Sequence, residues 1–327
     1  MLHPTAITFI AVYAVESAFI IIGNAFAIFI FWTSKLHQKR TCFLLINLAV
    51  ADFLVGVAEP IVLASEKIPR MEGPRGREAS IQNPSAAVQV FASTSSVFFL
   101  ALIALERMSA VLWPFRHRAV GTRVYVYSVV VVWVVSLCFG GWFVLSMYFE
   151  KVERAYAFAA IHSCLFVSLT VILTSYLIIR SRLHIPSAEI TSDNVRPTEH
   201  NLRLSRTMFV VIGVSLVFWV PAFVVYTAKE FCPQCFSPEV VWFVNVLHLA
   251  NSMVNPFVYT FRMPTFKDAF RKLWRKRRQK FEIGPVETGR LGATSEGCMT
   301  PQTERAVLKT SLGIPKNQLN CACKIDR

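Results

Sequence analysis

The stretch Asn251-Ser-Met-Val-Asn-Pro-Phe-Val-Tyr259 decides the fold, because it places polar residues inside an apolar run that is long enough to cross a bilayer. Asn251, Asn255 and Tyr259 follow one another at intervals of four residues, so they share one face of a helix. Polar groups in hydrocarbon are costly unless they have partners, and this face is therefore predicted to point into a bundle. Pro256 removes one backbone N–H and predicts a kink.

The rest of the chain has the composition of a membrane protein that crosses the bilayer several times. Of its 327 residues 54% are hydrophobic, and the mean hydropathy is +0.48. These values are far more apolar than those of a soluble domain. Seven apolar runs of spanning length lie at about 5–32, 42–64, 86–112, 124–147, 155–179, 208–228 and 240–261. The sequence predicts an all-α membrane protein, a seven-transmembrane helix bundle.

The distribution of Lys and Arg predicts the orientation of this bundle. The segments after the first, third, fifth and seventh runs are rich in basic residues, whereas the charges at 150–154, after the fourth run, cancel. We therefore expect an extracellular N-terminus and a cytoplasmic C-terminus in the plasma membrane. The net charge of +14 follows from this rule and from attraction to anionic lipid. It does not indicate nucleic acid, since no nucleic-acid motif accompanies it.

The segment after the seventh run predicts a short amphipathic helix on the membrane surface, at about 264–280. Its apolar residues Phe266, Phe270, Leu273 and Trp274 recur at helical spacing, with basic residues between them. Beyond it the chain becomes polar, which predicts a disordered tail. The chain is thus expected to form one seven-helix membrane domain over residues 1–281, including the surface helix, and a cytoplasmic tail over 282–327.

Acids and hydroxyls inside the predicted spans are candidates for function. Asp52 is the most deeply placed acid, and a buried acid that stays ionised implies a cation or a proton role; a protonated, structural aspartate is the alternative. For Glu16 and Glu59 a structural and a functional interpretation both stay open. Ser93 to Ser96 carry four hydroxyls in the middle of the third run, of which one or two are expected to bond back to their own helix.

Three further motifs lie at the ends or bends of the predicted helices. Glu106 and Arg107 stand side by side at the end of the third run, where they can pair until a competing partner breaks the pair, and arginine has no neutral form. Pro221 predicts a kink in the sixth run. Cys232-Pro-Gln-Cys235 is ambiguous between a redox pair, metal ligands and a disulfide, and the oxidising outer face favours the disulfide.

Together these motifs resemble those of the rhodopsin-like (class A) G protein-coupled receptors, with one motif in each predicted helix and in the family's order. They are Gly23-Asn24, Leu48 to Asp52, Glu106-Arg107-Met108, Trp133, Tyr176, Phe218 to Pro221 and Asn255 to Tyr259. The resemblance implies a receptor rather than an enzyme. It implies an extracellular small ligand and a heterotrimeric G protein as partners, arrestin, receptor kinases and membrane lipid as further ones, and no cofactor apart from a sodium ion as an allosteric ligand.

The resemblance also assigns residues to two inner sites. The family's sodium pocket corresponds to Asp52, Ser96, Trp219, Asn251, Ser252 and Asn255. The switch that opens the bundle to a G protein corresponds to Glu106, Arg107, Tyr176 and Tyr259. Residue 201 is Asn, where many relatives place an acid that locks the arginine at rest. The resemblance therefore leads us to expect basal activity.

A closer resemblance is to the adenosine receptors. It is carried by Phe231 to Cys235, by Asn251 to Tyr259 and by Phe149-Glu150, a pair that those receptors use on the ligand. The resemblance implies a ligand site formed by Gln89, Ser93, Phe149, Glu150, Trp219, Phe223, Tyr226, Asn245 and His248. The family's common disulfide to the third helix and its fifth-helix proline are missing here, which resembles the melanocortin, lysophospholipid and cannabinoid relatives.

Some positions depart from the adenosine-receptor pattern. Tyr226 stands where those receptors hold the purine with Asn, Phe223 replaces a His, and Leu249 replaces the ribose-contacting His, beside His248. A pair between Glu16 and His248 is a hypothesis for that lost contact. The alternatives that stay open are a class A orphan receptor for a lipid or peptide ligand and a non-signalling receptor homologue.

Overall fold

The computed structural model describes residues 4–68, 86–147, 151–184, 199–232 and 234–282. The tail predicted over 282–327 therefore lies outside the described residues, apart from Glu282. Within them the chain forms α-helices and no β-strand. The helices are α1 (Pro4–Thr33), α2 (Arg40–Val62), α3 (Ala86–Leu112), α4 (Pro114–Ala119), α5 (Thr122–Met147), α6 (Lys151–His184), α7 (Glu199–Phe231), α8 (Pro238–Arg262) and α9 (Pro264–Glu282).

Five helices of the described part are long and apolar enough to cross a membrane: α1, α2, α3, α5 and α6. In α7 the section Gly213–Lys229 is a shorter apolar helix. α8 is interrupted by the polar residues between Asn251 and Tyr259, so it is less apolar than these five helices. Together with α7 and α8 the five apolar helices form the expected seven-helix bundle, and the all-α fold class is confirmed.

The seven long helices pack side by side in a closed ring. Each of α1, α2, α3, α5, α6, α7 and α8 contacts the next, and α8 returns to α1. α3 is the most central, because it contacts α2, α5, α6 and α7. Large apolar side chains such as Ile22, Val131 and Leu137 point outward and are more than half exposed. Such a surface suits lipid rather than water.

The two ends of the bundle differ in chemistry. One end, here called the basic end, holds the 3₁₀-helix Leu36–Gln38, α4 and the Arg-containing start of α5. The other, here called the disulfide end, holds a disulfide between Cys232 and Cys235 in the connection from α7 to α8. This bond is the arrangement that the sequence favours for the C-x-x-C motif.

The amphipathic helix α9 follows α8 at the basic end. Its apolar face packs on α1, where Phe266 lies 5.2 Å from Phe31 and Phe270 lies 5.8 Å from Phe26, between ring centroids. Phe266 is fully buried, whereas Trp274 is 63% exposed. The helix ends at Glu282, two residues beyond its predicted end. Phe266 and Phe270 of α9 thus contact α1, whereas most of the Trp274 side chain is exposed on the outside of the bundle.

Candidate functional site

The carboxylate of Asp52 lies in the middle of the bundle, where α2, α3 and α8 meet. Asp52 is fully buried. It accepts hydrogen bonds from Ser96 Oγ at 2.7 Å, from Ser252 Oγ at 2.8 Å and from Asn255 Nδ2 at 2.7 Å. The structure therefore brings four of the six residues that the sequence assigns to the sodium pocket into direct contact.

Another of these residues, Asn251, lies one turn before Asn255 on α8 and is 2% exposed. Neither its side-chain oxygen nor its side-chain nitrogen has a hydrogen-bond partner among the described residues. A buried amide without partners is costly, because it has left water without replacing the hydrogen bonds it made there. The side-chain amide of Asn251 is therefore buried without a hydrogen-bond partner among the described residues, one turn from the Asn255 that binds Asp52.

The backbone of α8 next to this site is held by α1. Asn24 Nδ2 donates to the carbonyl oxygen of Ser252 at 3.0 Å. In a regular helix that carbonyl accepts from the N–H four residues later, but residue 256 is a proline and has none. Asn24 therefore supplies the donor that Pro256 lacks. Gly23 permits the approach, because a Cβ there would lie 3.2 Å from the Pro256 ring.

The stretch from Asn251 ends in Tyr259, which is fully buried. Its ring packs edge-on against Phe31 at 5.9 Å, and its hydroxyl has no hydrogen-bond partner among the described residues. Tyr176, the other tyrosine assigned to the switch, packs against α7 where Gly213 leaves room for its ring.

Arg107 is held by its neighbour and by α2. The Arg107 guanidinium is 3% exposed and donates to both carboxylate oxygens of Glu106. It also donates to Thr41 Oγ1 at 2.6 Å, and that hydroxyl donates to Glu106 Oε1 at 3.2 Å. The predicted pair between Glu106 and Arg107 is present, and Thr41 closes it into a triangle.

Sequence reasoning missed Thr41 and a second neighbour of the pair, His117. His117 Nε2 lies 3.5 Å from Glu106 Oε1, and α4 brings it there. Burial lowers the pKa of His117; the Glu106 carboxylate opposes this by raising it, and the Arg107 and Arg40 guanidiniums lower it further. Neither residue belongs to a motif, so only the packing of α2 and α4 against α3 reveals them.

At the disulfide end, two pairs of the predicted ligand residues are in contact between α7 and α8. The Tyr226 hydroxyl donates to Asn245 Oδ1. The rings of Trp219 and His248 meet edge-on, with their centroids 4.3 Å apart. Four of the nine residues assigned to the ligand site thus line one helix–helix seam.

Three more of the assigned residues lie on other parts of the bundle. Phe223 faces α6, where its ring lies 6.0 Å from Phe166 and 6.2 Å from His162. On α3 Ser93 is buried and Gln89 is half-buried. His162 was not predicted, although a histidine in an otherwise apolar helix is a visible signal. Phe149 and Glu150 lie outside the described residues.

A further polar group at the disulfide end is Tyr13 on α1, which the sequence does not single out. Its hydroxyl donates to the Trp242 carbonyl of α8 at 2.8 Å. Glu16 and Glu59 are both buried near it, at 5% and 1% exposure. The pair between Glu16 and His248 stays a prediction. The disulfide half of the bundle therefore buries acidic and aromatic groups together.

Comparison with known proteins agrees with these motifs. The chain is 26% identical to the dog (Canis lupus familiaris) adenosine receptor A2a over 315 residues, which cover 84% of this chain and 74% of the relative. It is 23% identical to the human (Homo sapiens) lysophosphatidic acid receptor 1 over 297 residues, which cover 85% and 79%. The family model described as 7 transmembrane receptor (rhodopsin family) matches residues 23–259. This match covers most of the chain, which therefore belongs to the rhodopsin family of seven-transmembrane receptors, a family of multi-pass plasma membrane proteins and not of enzymes.

Proposed function

We propose that this receptor binds a small extracellular ligand at the disulfide end of the bundle and activates a heterotrimeric G protein at the basic end. The observation that carries the proposal is the buried triangle of Glu106, Arg107 and Thr41. A guanidinium that is 3% exposed and held by one carboxylate and one hydroxyl can be released when a competing partner arrives. The basic end then faces the cytoplasm, as the Lys and Arg distribution predicts.

The ligand acts by preferring one arrangement of the bundle. A ligand shifts an equilibrium only by the difference between its affinities for the two states. The seam between α7 and α8 is suited to such a preference, because Tyr226 and Asn245 join the two helices by one hydrogen bond, and Trp219 meets His248 beside Pro221. A ligand that inserts here changes how the two helices meet.

The charge of the buried groups favours a nucleoside-like or otherwise uncharged or cationic ligand over a lysophospholipid. Among the described residues, the buried acids of the disulfide half are Glu16 and Glu59, and Arg107 at the other end is the one buried Lys or Arg. A phosphate buried beside these two acids would be strongly disfavoured, because Lys229 at the end of α7 is only half-buried and the described residues include no fully buried base in this half. Aromatic side chains of Trp219 and Phe223 supply stacking surfaces instead.

A lipid ligand is the second candidate, since lysophosphatidic acid receptor 1 is among the similar proteins. Such a ligand would need a basic partner, and Lys229, half-buried in the last turn of α7, is a described candidate. The identity to that receptor is 23%, against 26% for the dog adenosine receptor A2a. Similarity alone does not separate the two candidates, so the charge argument decides between them.

The Asp52 site fits a sodium ion as an allosteric ligand. All three donors to Asp52 are neutral, so its negative charge has no cationic partner among the described residues. The unpartnered oxygen of Asn251 lies on the same face of α8. Asp52, Ser96, Asn251, Ser252 and Asn255 would hold the ion, and it would supply the positive charge that a carboxylate inside a membrane requires.

The ligand proposal is tested with a panel of nucleosides, lysolipids and melanocortin-type peptides, read by G protein activation in cells that express the receptor. We expect a compound with a flat polar ring, such as a nucleoside, to activate. Tyr226→Phe should then lower its potency about tenfold, because the lost hydroxyl is worth about 1.4 kcal/mol. Tyr127→Phe is the matched control, since Tyr127 is 67% exposed on α5. A response to lysolipids or peptides alone would overturn the choice of ligand.

A further inference from the structure

The Glu106 carboxylate at the basic end is approached by three donors at a single oxygen. Thr41 Oγ1 lies 3.2 Å from Oε1, Arg107 Nη2 donates to the same atom, and His117 Nε2 lies 3.5 Å from it. The Thr41 hydroxyl stays neutral and the Arg107 guanidinium stays positively charged throughout the physiological pH range. The third, an imidazole, gains or loses its charge between about pH 5 and 8.

The charges around His117 come from two helices besides its own. α3 contributes Glu106 and Arg107. α2 contributes Arg40, which donates to the His117 carbonyl at 3.5 Å and lies 5.8 Å from the ring centre of Tyr125 on α5. On α4 itself the flanking charges are those of Arg116 and Arg118. The carboxylate of Glu106 is therefore the one group near His117 that favours its protonated form, and the guanidiniums oppose it.

This balance changes if Arg107 leaves Glu106. While the pair is intact, Glu106 is neutralised and a second positive charge on His117 is repelled by Arg107. Once Arg107 has moved away, a carboxylate that is 6% exposed remains without a counter-ion, which is a costly arrangement. A protonated His117, which lies at the same oxygen, can then replace Arg107 as the counter-ion of Glu106 without any movement of α3.

We propose that a proton on His117 is a substitute counter-ion for Glu106, so that acidification at the basic end favours the state in which Arg107 is released. The reason is linkage: a proton that binds more tightly to the released state shifts the population toward it. The sign follows from the neighbours, because departure of Arg107 removes a repulsive charge and unmasks an attractive one. Each unit of pKa difference between the two states changes their ratio about tenfold.

The first test needs no G protein and no ligand. The purified receptor is labelled with ¹³C-histidine and titrated by NMR, and the His117 signal is assigned by its loss in His117→Gln. We expect Arg107→Ala to raise the His117 pKa by about one unit and Glu106→Gln to lower it. The signal of His37, which stacks on Trp32 at the same end, serves as the reference for a folded variant. An unchanged His117 pKa in folded Arg107→Ala would overturn the proposal.

The second test measures the consequence for signalling, and it alone rests on the proposed coupling to a G protein. Basal nucleotide exchange is compared at about pH 7.5 and 6.5 in membranes whose basic face is accessible. The ratio of wild type to His117→Gln should rise severalfold on acidification, and His37→Gln should behave as wild type. A His117→Gln receptor that keeps the full pH response would overturn the proposal. Absence of exchange at either pH, with the NMR shift present, would count against the coupling and leave the proton site supported.

Discussion

At the scale of single residues, Asp52 is the group on which the proposed sodium site rests. Three neutral donors from Ser96, Ser252 and Asn255 orient its carboxylate but leave its charge uncompensated. An aspartate at the centre of a membrane helix costs about 2.5–3.5 kcal/mol on insertion scales. A cation removes that cost while the aspartate stays ionised, and this is why the sodium proposal can be tested through stability.

We predict that sodium stabilises the folded receptor through Asp52. A ligand that binds the folded state alone raises its stability by RT ln(1 + [L]/Kd). The thermal unfolding midpoint should therefore be higher in sodium chloride than in choline chloride of equal ionic strength, and Asp52→Asn should abolish the difference. Asp268→Asn, a change at an exposed acid on α9, is the control that should keep it. An equal sodium effect in Asp52→Asn would refute the site.

Asn24 and Pro256 form a second residue-scale unit, for which a double-mutant cycle gives the test. Asn24→Leu leaves the Ser252 carbonyl without its donor and should destabilise the fold by about 1–3 kcal/mol. Pro256→Ala restores a backbone N–H that can reach the same carbonyl. In the Pro256→Ala background Asn24→Leu should therefore cost less, as measured by thermal unfolding. Strictly additive losses would show that Asn24 does not serve the proline.

At the scale of helices, α1 and α2 are joined by close backbone approach. Ser17 Oγ donates to the Gly56 carbonyl at 2.6 Å, and a Cβ at Gly56 would lie 2.8 Å from Ile20 and 2.9 Å from Ile21. Small residues that let helices approach are typical of membrane proteins, where packing replaces the hydrophobic driving force. This contact sets the positions of Asn24 on α1 and of Asp52 on α2, one turn or more away.

We predict that Gly56→Leu separates α1 from α2 and lowers stability by about 1–3 kcal/mol, because a side chain there has no space. The measurement is thermal unfolding of the purified receptor. Gly141→Leu is the matched control, since nothing lies within 4 Å of a Cβ at Gly141, and it should change stability little. If the two variants unfold at the same temperature, the close approach of α1 and α2 does not matter for stability.

The helices themselves were predictable, and the physical reason lies in the solvent. Hydrocarbon makes apolar runs long and makes each polar residue inside them costly, so Asp52, Asn251 and Asn255 stand out in the sequence. The surface helix α9 was predictable from its amphipathic spacing. Its packing on Phe26 and Phe31 was not, because those two side chains resemble every other apolar residue of α1.

The less predictable residues lie where polarity carries no cost. Thr41 and His117 belong to the basic end, where polar side chains are ordinary, so nothing in the sequence marks them as partners of Glu106. Tyr13 was missed for a different reason, because its hydroxyl bonds a backbone carbonyl, and backbone carbonyls leave no trace in a sequence. A contact between two helices could thus be predicted only when both side chains were polar residues inside apolar segments.

At the scale of the whole molecule, the stretch from Asn251 to Tyr259 lies between the two functional ends. Ser252 and Asn255 donate hydrogen bonds to Asp52, and Asn24 donates to the carbonyl that Pro256 leaves without a backbone donor. Tyr259 packs on Phe31, which also contacts Phe266 of α9. The contact of Tyr226 with Asn245, where we propose the ligand to bind, lies on one side of it and the triangle of Glu106, Arg107 and Thr41 on the other. Under this proposal, a change in how α7 and α8 meet is passed to the basic end through this part of α8.

Signalling through Arg107 can be measured without knowing the ligand. Cells with equal surface expression of wild type, Arg107→Ala or Arg123→Ala, a control at an exposed arginine of α5, are assayed for basal activation of each G protein subtype. Because residue 201 is Asn rather than an acid, we predict a basal signal above mock-transfected cells for wild type and the control with at least one subtype. Arg107→Ala should lose that signal. A wild-type signal at the mock level for every subtype, or one that Arg107→Ala leaves intact, would contradict it.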